Sequence, residues 1–391
     1  MNATSLNSRL SGLDTLRATA IVLVLLYHFQ VVVSGASTFG FIGDCGWAGV
    51  DLFFVLSGYL IGNQIMGPIA RGERFSFKLF TIRRALRTLP NYYLILALYF
   101  LFPLTMAGKE PMPLWRFLSF TQNIGLRPGA AFSHAWSLNV EEQFYLILPL
   151  AAMGLAAMTR SLRAAWTVLV AAILTGVAMR CVMWLHCTDF PDYMSDIYYS
   201  SFCRIDELLP GVALAMLKNF HAGLFQRLQV WGNLAAAAGL LVAAVVLTGF
   251  TICFDGDYVA AHGFNFPLVA FGYSVLALGF MLLVFSALSH GSLLNRMRIP
   301  GAAALALWSY AIYLAHKPLY YIGKTHLAEL GIEPDSWAGT FIILGVGVLG
   351  GYLLFRIVET PFMRLRERHF GPAHVSRAVL SGGADSRRID A

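Results

Sequence analysis

Arg17 and His28 stand eleven residues apart at the start and in the depth of one apolar run. On a helix, eleven steps of about 100° return to within about 20° of the same direction and cover roughly 16 Å. The spacing therefore puts a guanidinium and an imidazole on one stripe, at different depths. Ionisable groups inside such a run are costly, and their default reading is functional. An imidazole titrates near ~6.5, so His28 can act as a general base near neutral pH. Asp14 lies three residues before Arg17, where it can pair with it. The plainer alternative makes His28 a buried ring bonded to a carbonyl and Arg17 a topology anchor.

A second group is Ile82-Arg83-Arg84-Ala85-Leu86-Arg87, between the amphipathic stretch Phe75–Phe80 and Pro90. Arg84 and Arg87 share a helix face, and two guanidiniums so placed can clamp phosphates. Contact of a basic segment with lipid head groups is the other reading.

The third group runs from His134 through Trp136, Ser137, Asn139, Glu141, Glu142 and Gln143 to Tyr145. Adjacent carboxylates directly before Phe-Tyr-Leu-Ile-Leu-Pro-Leu require that Glu141 or Glu142 point into a bundle or lie at the interface. Such a carboxylate could orient His28 or bind a hydroxyl acceptor. Acids enriched at a helix N-terminus are the alternative. Lesser candidates are Asp51 and Ser57 in a polar-dotted apolar run, Arg204 beside Asp206 and Glu207, and His316 in Ser309–Pro318. Glu359-Thr360-Pro361 reads as a helix-end cap.

The element types that position these groups follow from composition. Of 391 residues, 58% are hydrophobic and 13% charged, against roughly 25% charged in soluble domains. Too few charges remain to cover a soluble surface, so lipid must be the solvent. Ten apolar runs of helical length are legible, at 13–34, 47–66, 90–107, 137–158, 165–186, 203–217, 231–250, 266–288, 302–322 and 337–357. Nothing alternates as a barrel strand does. The expected fold is an all-α polytopic bundle of about ten transmembrane helices, with no second domain over 1–370 and a disordered cytoplasmic tail over 371–391.

With the N-terminus inside, 21 of the 28 basic residues fall on the inner side. They include Arg9, Arg17, the Arg71–Arg87 cluster, Arg160, Arg163 and the tail arginines. Lys109, Arg116, Arg127, Lys317 and Lys324 fall outside, with acids such as Asp44, Asp189 and Asp255. This bias predicts both termini inside and an even number of spans. The same scatter of basic residues argues against nucleic acid as a partner despite the net charge of +7. The first run follows Asp14 and Arg17 without a cleavage site, so it reads as a retained span. Five cysteines without a CxxC pair suggest no metal site. Cys187 and Cys203, near the outer ends of two runs, are candidates for a disulfide, with two free buried thiols as the favoured alternative.

Taken together and in order, these motifs resemble acyltransferase family 3. The resemblance rests on Arg17-x10-His28, Phe53-Phe54-Val55-Leu56-Ser57-Gly58-Tyr59, Arg84-x-x-Arg87, Trp136–Tyr145, Ser309–Pro318 and Glu359-Thr360-Pro361, and it covers Gly12 to about Arg364. It implies ten core helices in a bacterial inner membrane and an acyl-CoA donor, acetyl-CoA foremost, entering from the cytoplasm. It further implies a hydroxyl acceptor of carbohydrate type on the far side, with His28 and Arg17 essential. Some relatives carry a fused extracytoplasmic esterase-like domain. Its absence here implies that the membrane domain completes transfer or hands it to a separate extracytoplasmic transferase.

On this reading His28, Arg17 and Glu142 perform the chemistry, and Arg84 and Arg87 bind the donor. Asp14, Asp51, Ser57, His134, Ser137, Glu141, Tyr145, Arg204 and His316 support them. The arginines lie on the donor side, His28 at mid-depth and the acidic pair on the far side. A transporter using the same charges as a proton or solute relay is the alternative of another class.

Overall fold

The computed structural model describes residues 11–159 and 161–371. The expected tail, apart from Gly371, and the basic residues Arg9 and Arg160 lie outside the described residues. Every described element is helical.

Helix α1, Ser11–Phe29, runs on through a π-helical turn, Gln30–Ser34, and closes on Gly35 in the left-handed conformation. A helix end with φ of 71° favours a residue without a Cβ. Helix α2 is Ala48–Ala70, and α3 is Phe77–Leu101, begun by Ser76, whose hydroxyl accepts from the Leu79 amide. Helices α4, Trp136–Met158, and α5, Leu162–Trp184, are followed by α6, Leu209–Phe220, and α7, Gly232–Cys253. Helices α8, Tyr273–Leu288, α9, Ala302–Glu329, α10, Trp337–Leu354, and α11, Thr360–Phe370, complete the described α-helices longer than seven residues.

Helix α1 is central and packs on α2, α8 and α9. Small residues let the helices approach. A Cβ on Gly58 of α2 would run into the Leu208 carbonyl, and one on Gly211 of α6 into the Val55 carbonyl. The Gly58-x3-Gly62 spacing thus forms the α2–α6 crossing, with Val212 and Ala215 against Gly62. Within the apolar 18-residue stretch of Ala48–Ala70 61% is buried inside the protein, against 17% for that of Leu162–Trp184. Helix α2 is therefore a core element, and α5 turns most of its apolar surface outward.

Seven described segments are long and apolar enough to cross a membrane: Ser11–Ser34, Ala48–Ala70, Ser133–Met158, Leu162–Trp184, Ala222–Cys253, Leu268–Leu288 and Trp337–Phe370. They correspond to seven of the ten expected runs, and the chain is a multi-pass membrane protein. The other three expected runs differ in form. The run at 90–107 is divided between the second half of α3, which begins at Phe77 and takes Arg83, Arg84 and Arg87 into the same helix, and a separate short helix, Pro103–Ala107. The run at 203–217 is broken into Ser201–Arg204, a tight turn at Ile205–Leu208, and α6. The third, α9, is 28 residues long but carries His316, Lys317 and several tyrosines.

Two further expectations are corrected. Glu359 does not cap a helix end; it closes a π-helical turn, Phe355–Glu359, between α10 and α11, and accepts a hydrogen bond from Asn91 Nδ2 at 2.9 Å. Cys187 and Cys203 are free thiols, each directed at a different backbone carbonyl, Asp189 and Asp196.

Candidate active site

Two cavities flank α1. The first, of about 260 Å³, is lined by Arg17, Arg84, Arg87, Glu141 and Ser309, among others. The second, of about 570 Å³, is lined by His28, His134, Lys317 and a belt of aromatic rings. Val50 borders both. The stripe expected on α1 is present, and its two ends serve different cavities.

In the arginine cavity, Arg17 Nη2 donates to Ser309 Oγ at 3.3 Å, and Asp14 lies one turn earlier on α1. Arg84 stacks on the Tyr145 ring and lies 3.9 Å from a Glu141 oxygen and 3.6 Å from a Glu142 oxygen. Glu141 also accepts from Ser57 Oγ at 3.0 Å and from the Tyr145 hydroxyl. The acidic pair thus sits with the arginines, contrary to the expected far-side placement. Glu141 is seven residues beyond His134, which on a helix is roughly 10 Å of depth. Of the pair, Glu141 lines the cavity, whereas Glu142, the expected chemical member, is not among its lining residues.

At the other end, His28 Nδ1 lies 2.9 Å from His316 Nε2, and His316 Nδ1 lies 3.1 Å from the Ile312 carbonyl. A ring nitrogen facing a carbonyl carries the proton, so His316 donates through Nδ1. With both rings neutral, His316 Nε2 must then accept, and His28 Nδ1 must donate. This leaves the lone pair on His28 Nε2, on a ring that lines the histidine cavity. His316, rather than a glutamate, therefore orients His28. His134 stands alongside, its ring centroid 6.3 Å from that of His28, and its Nε2 donates to the Leu314 carbonyl at 3.3 Å. Its Nδ1 is buried without a partner among the described residues.

A hydrogen bond separates the two cavities. Ser137 Oγ and the Tyr313 hydroxyl are 2.7 Å apart, and that hydroxyl also donates to the His134 carbonyl at 2.8 Å. Ser137 and Tyr313 line the arginine cavity, and His134 lines the histidine cavity.

Asp51 and Arg204 line neither cavity. Arg204 pairs with Asp51 at 2.8 Å and Glu207 at 2.6 Å, all three fully buried. Asp206 pairs instead with Arg180 at 2.8 Å. Arg204 lies against the rings of Tyr273, Tyr198 and Trp136. Tyr198 and Trp136 belong to the histidine-cavity wall, so this network braces that wall from behind.

The candidate site residues read from the sequence did not include Tyr310, Tyr313 or Lys317, which line the two cavities. A usable signal existed: Ser309, Tyr313 and His316 recur at helical spacing on α9.

A family model described as an acyltransferase domain matches residues 10–356. The chain belongs to this family, acyltransferase family 3. It is similar to the peptidoglycan O-acetyltransferase OatA of Listeria monocytogenes, 26% identical over 90% of this chain and 56% of that protein. It is likewise similar to the O-acetyltransferase OatA of Staphylococcus aureus, 23% identical over 91% of the chain and 57% of that protein. The putative peptidoglycan O-acetyltransferase YrhL of Bacillus subtilis is 27% identical over 92% and 56%. The chain thus spans a little over half the length of these curated relatives. No solved structure matches it.

Proposed function

We propose that the protein is a membrane O-acyltransferase that moves an acyl group, acetyl foremost, from cytoplasmic acyl-CoA to a carbohydrate hydroxyl on the extracytoplasmic side. The observation that carries this reading is the His28–His316 pair, which leaves a proton-accepting Nε2 on a ring lining the larger cavity. Family membership supports the reaction class, and the relatives named as peptidoglycan O-acetyltransferases support a glycan acceptor.

Arg17, Arg84 and Arg87 form the donor end, where guanidiniums meet phosphate. The acceptor hydroxyl enters the histidine cavity. Its oxygen attacks the thioester carbonyl while His28 Nε2 takes its proton. The new C–O bond forms, the C–S bond breaks, and the proton passes from His28 to the departing CoA thiolate. Because Arg17 and His28 are roughly 16 Å apart along α1, the acyl end of a long donor must pass the Ser137–Tyr313 contact to reach the base. Glu141 holds Arg84 and Ser57 in place at the donor end.

The bundle is taken to have ten spans in a bacterial inner membrane, both termini cytoplasmic. The three less apolar segments, α3, Ser201–Phe220 and α9, cross under cover of their neighbours. A separate extracytoplasmic transferase can receive the acyl group in place of a final acceptor.

The test is acyl-CoA-dependent release of free CoA by purified protein with and without a saccharide acceptor. Acceptor-stimulated release, with acyl found on the sugar by mass spectrometry, is the expected result. An inert protein that instead carries an anionic solute across proteoliposomes would overturn this assignment in favour of transport.

A further inference from the structure

We propose that the histidine cavity selects an anionic saccharide and that Lys317 holds its anion, a reading that rests on the acyl-transfer assignment above.

The cavity wall combines two kinds of group. Tyr27, Trp47, Tyr99, Phe132, Trp136 and Tyr198 present aromatic rings. Such rings stack on the C–H faces of a sugar while leaving its hydroxyls free, as few polar groups set orientation in a mostly apolar pocket. The charged groups are one-sided. Lys109 and Lys317 join His28 and His134 in the lining, and no aspartate or glutamate is among the lining residues.

Lys317 is the half-buried member of the two lysines and follows His316 on α9. Its ammonium donates to Ser133 Oγ at 2.8 Å, a neutral partner. An ammonium has three donors, and one hydroxyl neither uses nor neutralises them. A cation withdrawn from water without a counter-charge is costly. Asp192, between the lining residues Phe190 and Met194, is already engaged, with Arg127 at 3.2 Å and Thr188 at 2.7 Å. A ligand anion is the group that completes this site.

The placement also suits the chemistry. Lys317 and His28 open on to the same cavity, linked through His316. An anion on Lys317 would fix one edge of a sugar ring and present a hydroxyl of the same ring toward His28 Nε2. A neutral sugar would stack but leave the ammonium uncompensated and the hydroxyl less well placed. Carboxylate and phosphate share the chemistry that Lys317 requires.

The experiment titrates the full chain in nanodiscs, without acyl donor, with methyl β-glucoside, methyl β-glucuronide and glucose 6-phosphate. Saturation-transfer NMR or tryptophan fluorescence reads the binding. At least one charged sugar is expected to bind about tenfold or more tightly than the glucoside (roughly 1.4 kcal/mol), and the order of the two anions tells carboxylate from phosphate. Lys317→Met should abolish the preference, and Lys317→Arg should keep it. Equal binding of all three sugars, binding of none, or a preference that survives Lys317→Met would each overturn the proposal. Should Lys317→Met not fold, the wild-type comparison still decides. Charge-selective binding without CoA release would sink the acyl-transfer reading and leave the anion site standing.

Discussion

His316 accepts the hydrogen bond of His28 across 2.9 Å, and the Ile312 carbonyl fixes which nitrogen of His316 does so. The backbone of α9 therefore sets the tautomer of a residue on α1. His316→Ala is expected to slow acyl transfer by up to about 10⁴-fold, the loss seen when a catalytic histidine loses the group that fixes its tautomer. A change in kcat with little change in apparent KM for acyl-CoA separates this positioning role from a structural one. Gln in place of His316 should recover part of the rate, since its amide can also accept from Nδ1.

His28→Ala should abolish transfer while the protein stays monodisperse and inserted. Losing a general base costs ~10²–10⁴ in rate. The measurement is turnover per folded molecule, by CoA release after size-exclusion chromatography. More than a small residual rate would remove His28 from the mechanism and leave family membership untouched.

Arg87→Ala and Arg84→Ala should part company. Both line the arginine cavity, so on the proposed donor role each should raise the apparent KM for acyl-CoA, by around tenfold if a phosphate contact is lost. Arg84 alone is within ion-pair distance of both Glu141 and Glu142. Removing it strands two carboxylates, so Arg84→Ala should also lower the melting temperature. Adding Glu142→Gln should restore part of that loss without restoring donor affinity. Equal melting temperatures for the two single variants would contradict the ion-pair geometry.

Gly58→Val should damage assembly rather than chemistry. A side chain there meets the Leu208 carbonyl, a backbone atom that can move only with the whole α2–α6 crossing. Overpacking of this kind costs about 1–3 kcal/mol or more. Lower yield and a depressed melting temperature, with normal turnover in the fraction that remains folded, are the expected signs. An unchanged melting temperature would show that the crossing is looser than drawn.

The amino-acid sequence by itself determined a good deal. The shortage of charge required lipid and hence helices, and helical periodicity alone placed Arg17 and His28 on one face of α1. Such properties are local, because they depend on composition and on the 3.6-residue turn. Only the tertiary structure decided which residues share a cavity. His28 meets a ring 288 positions away in the chain, and the place of Glu141 follows from how α4 packs beside α2 and reaches Arg84 of α3. The acidic pair expected on the far side thus lies beside Arg84, since residue type says nothing of a helix's offset along the membrane normal. The three runs that fall short in apolarity or length illustrate the same divide. Helix α3 carries Arg84 and Arg87, α9 carries His316 and Lys317, and the stretch before α6 is broken where Arg204, Asp206 and Glu207 pair inside the bundle. Their polarity is compensated by partners on other helices, and partnership between distant segments is what folding alone supplies.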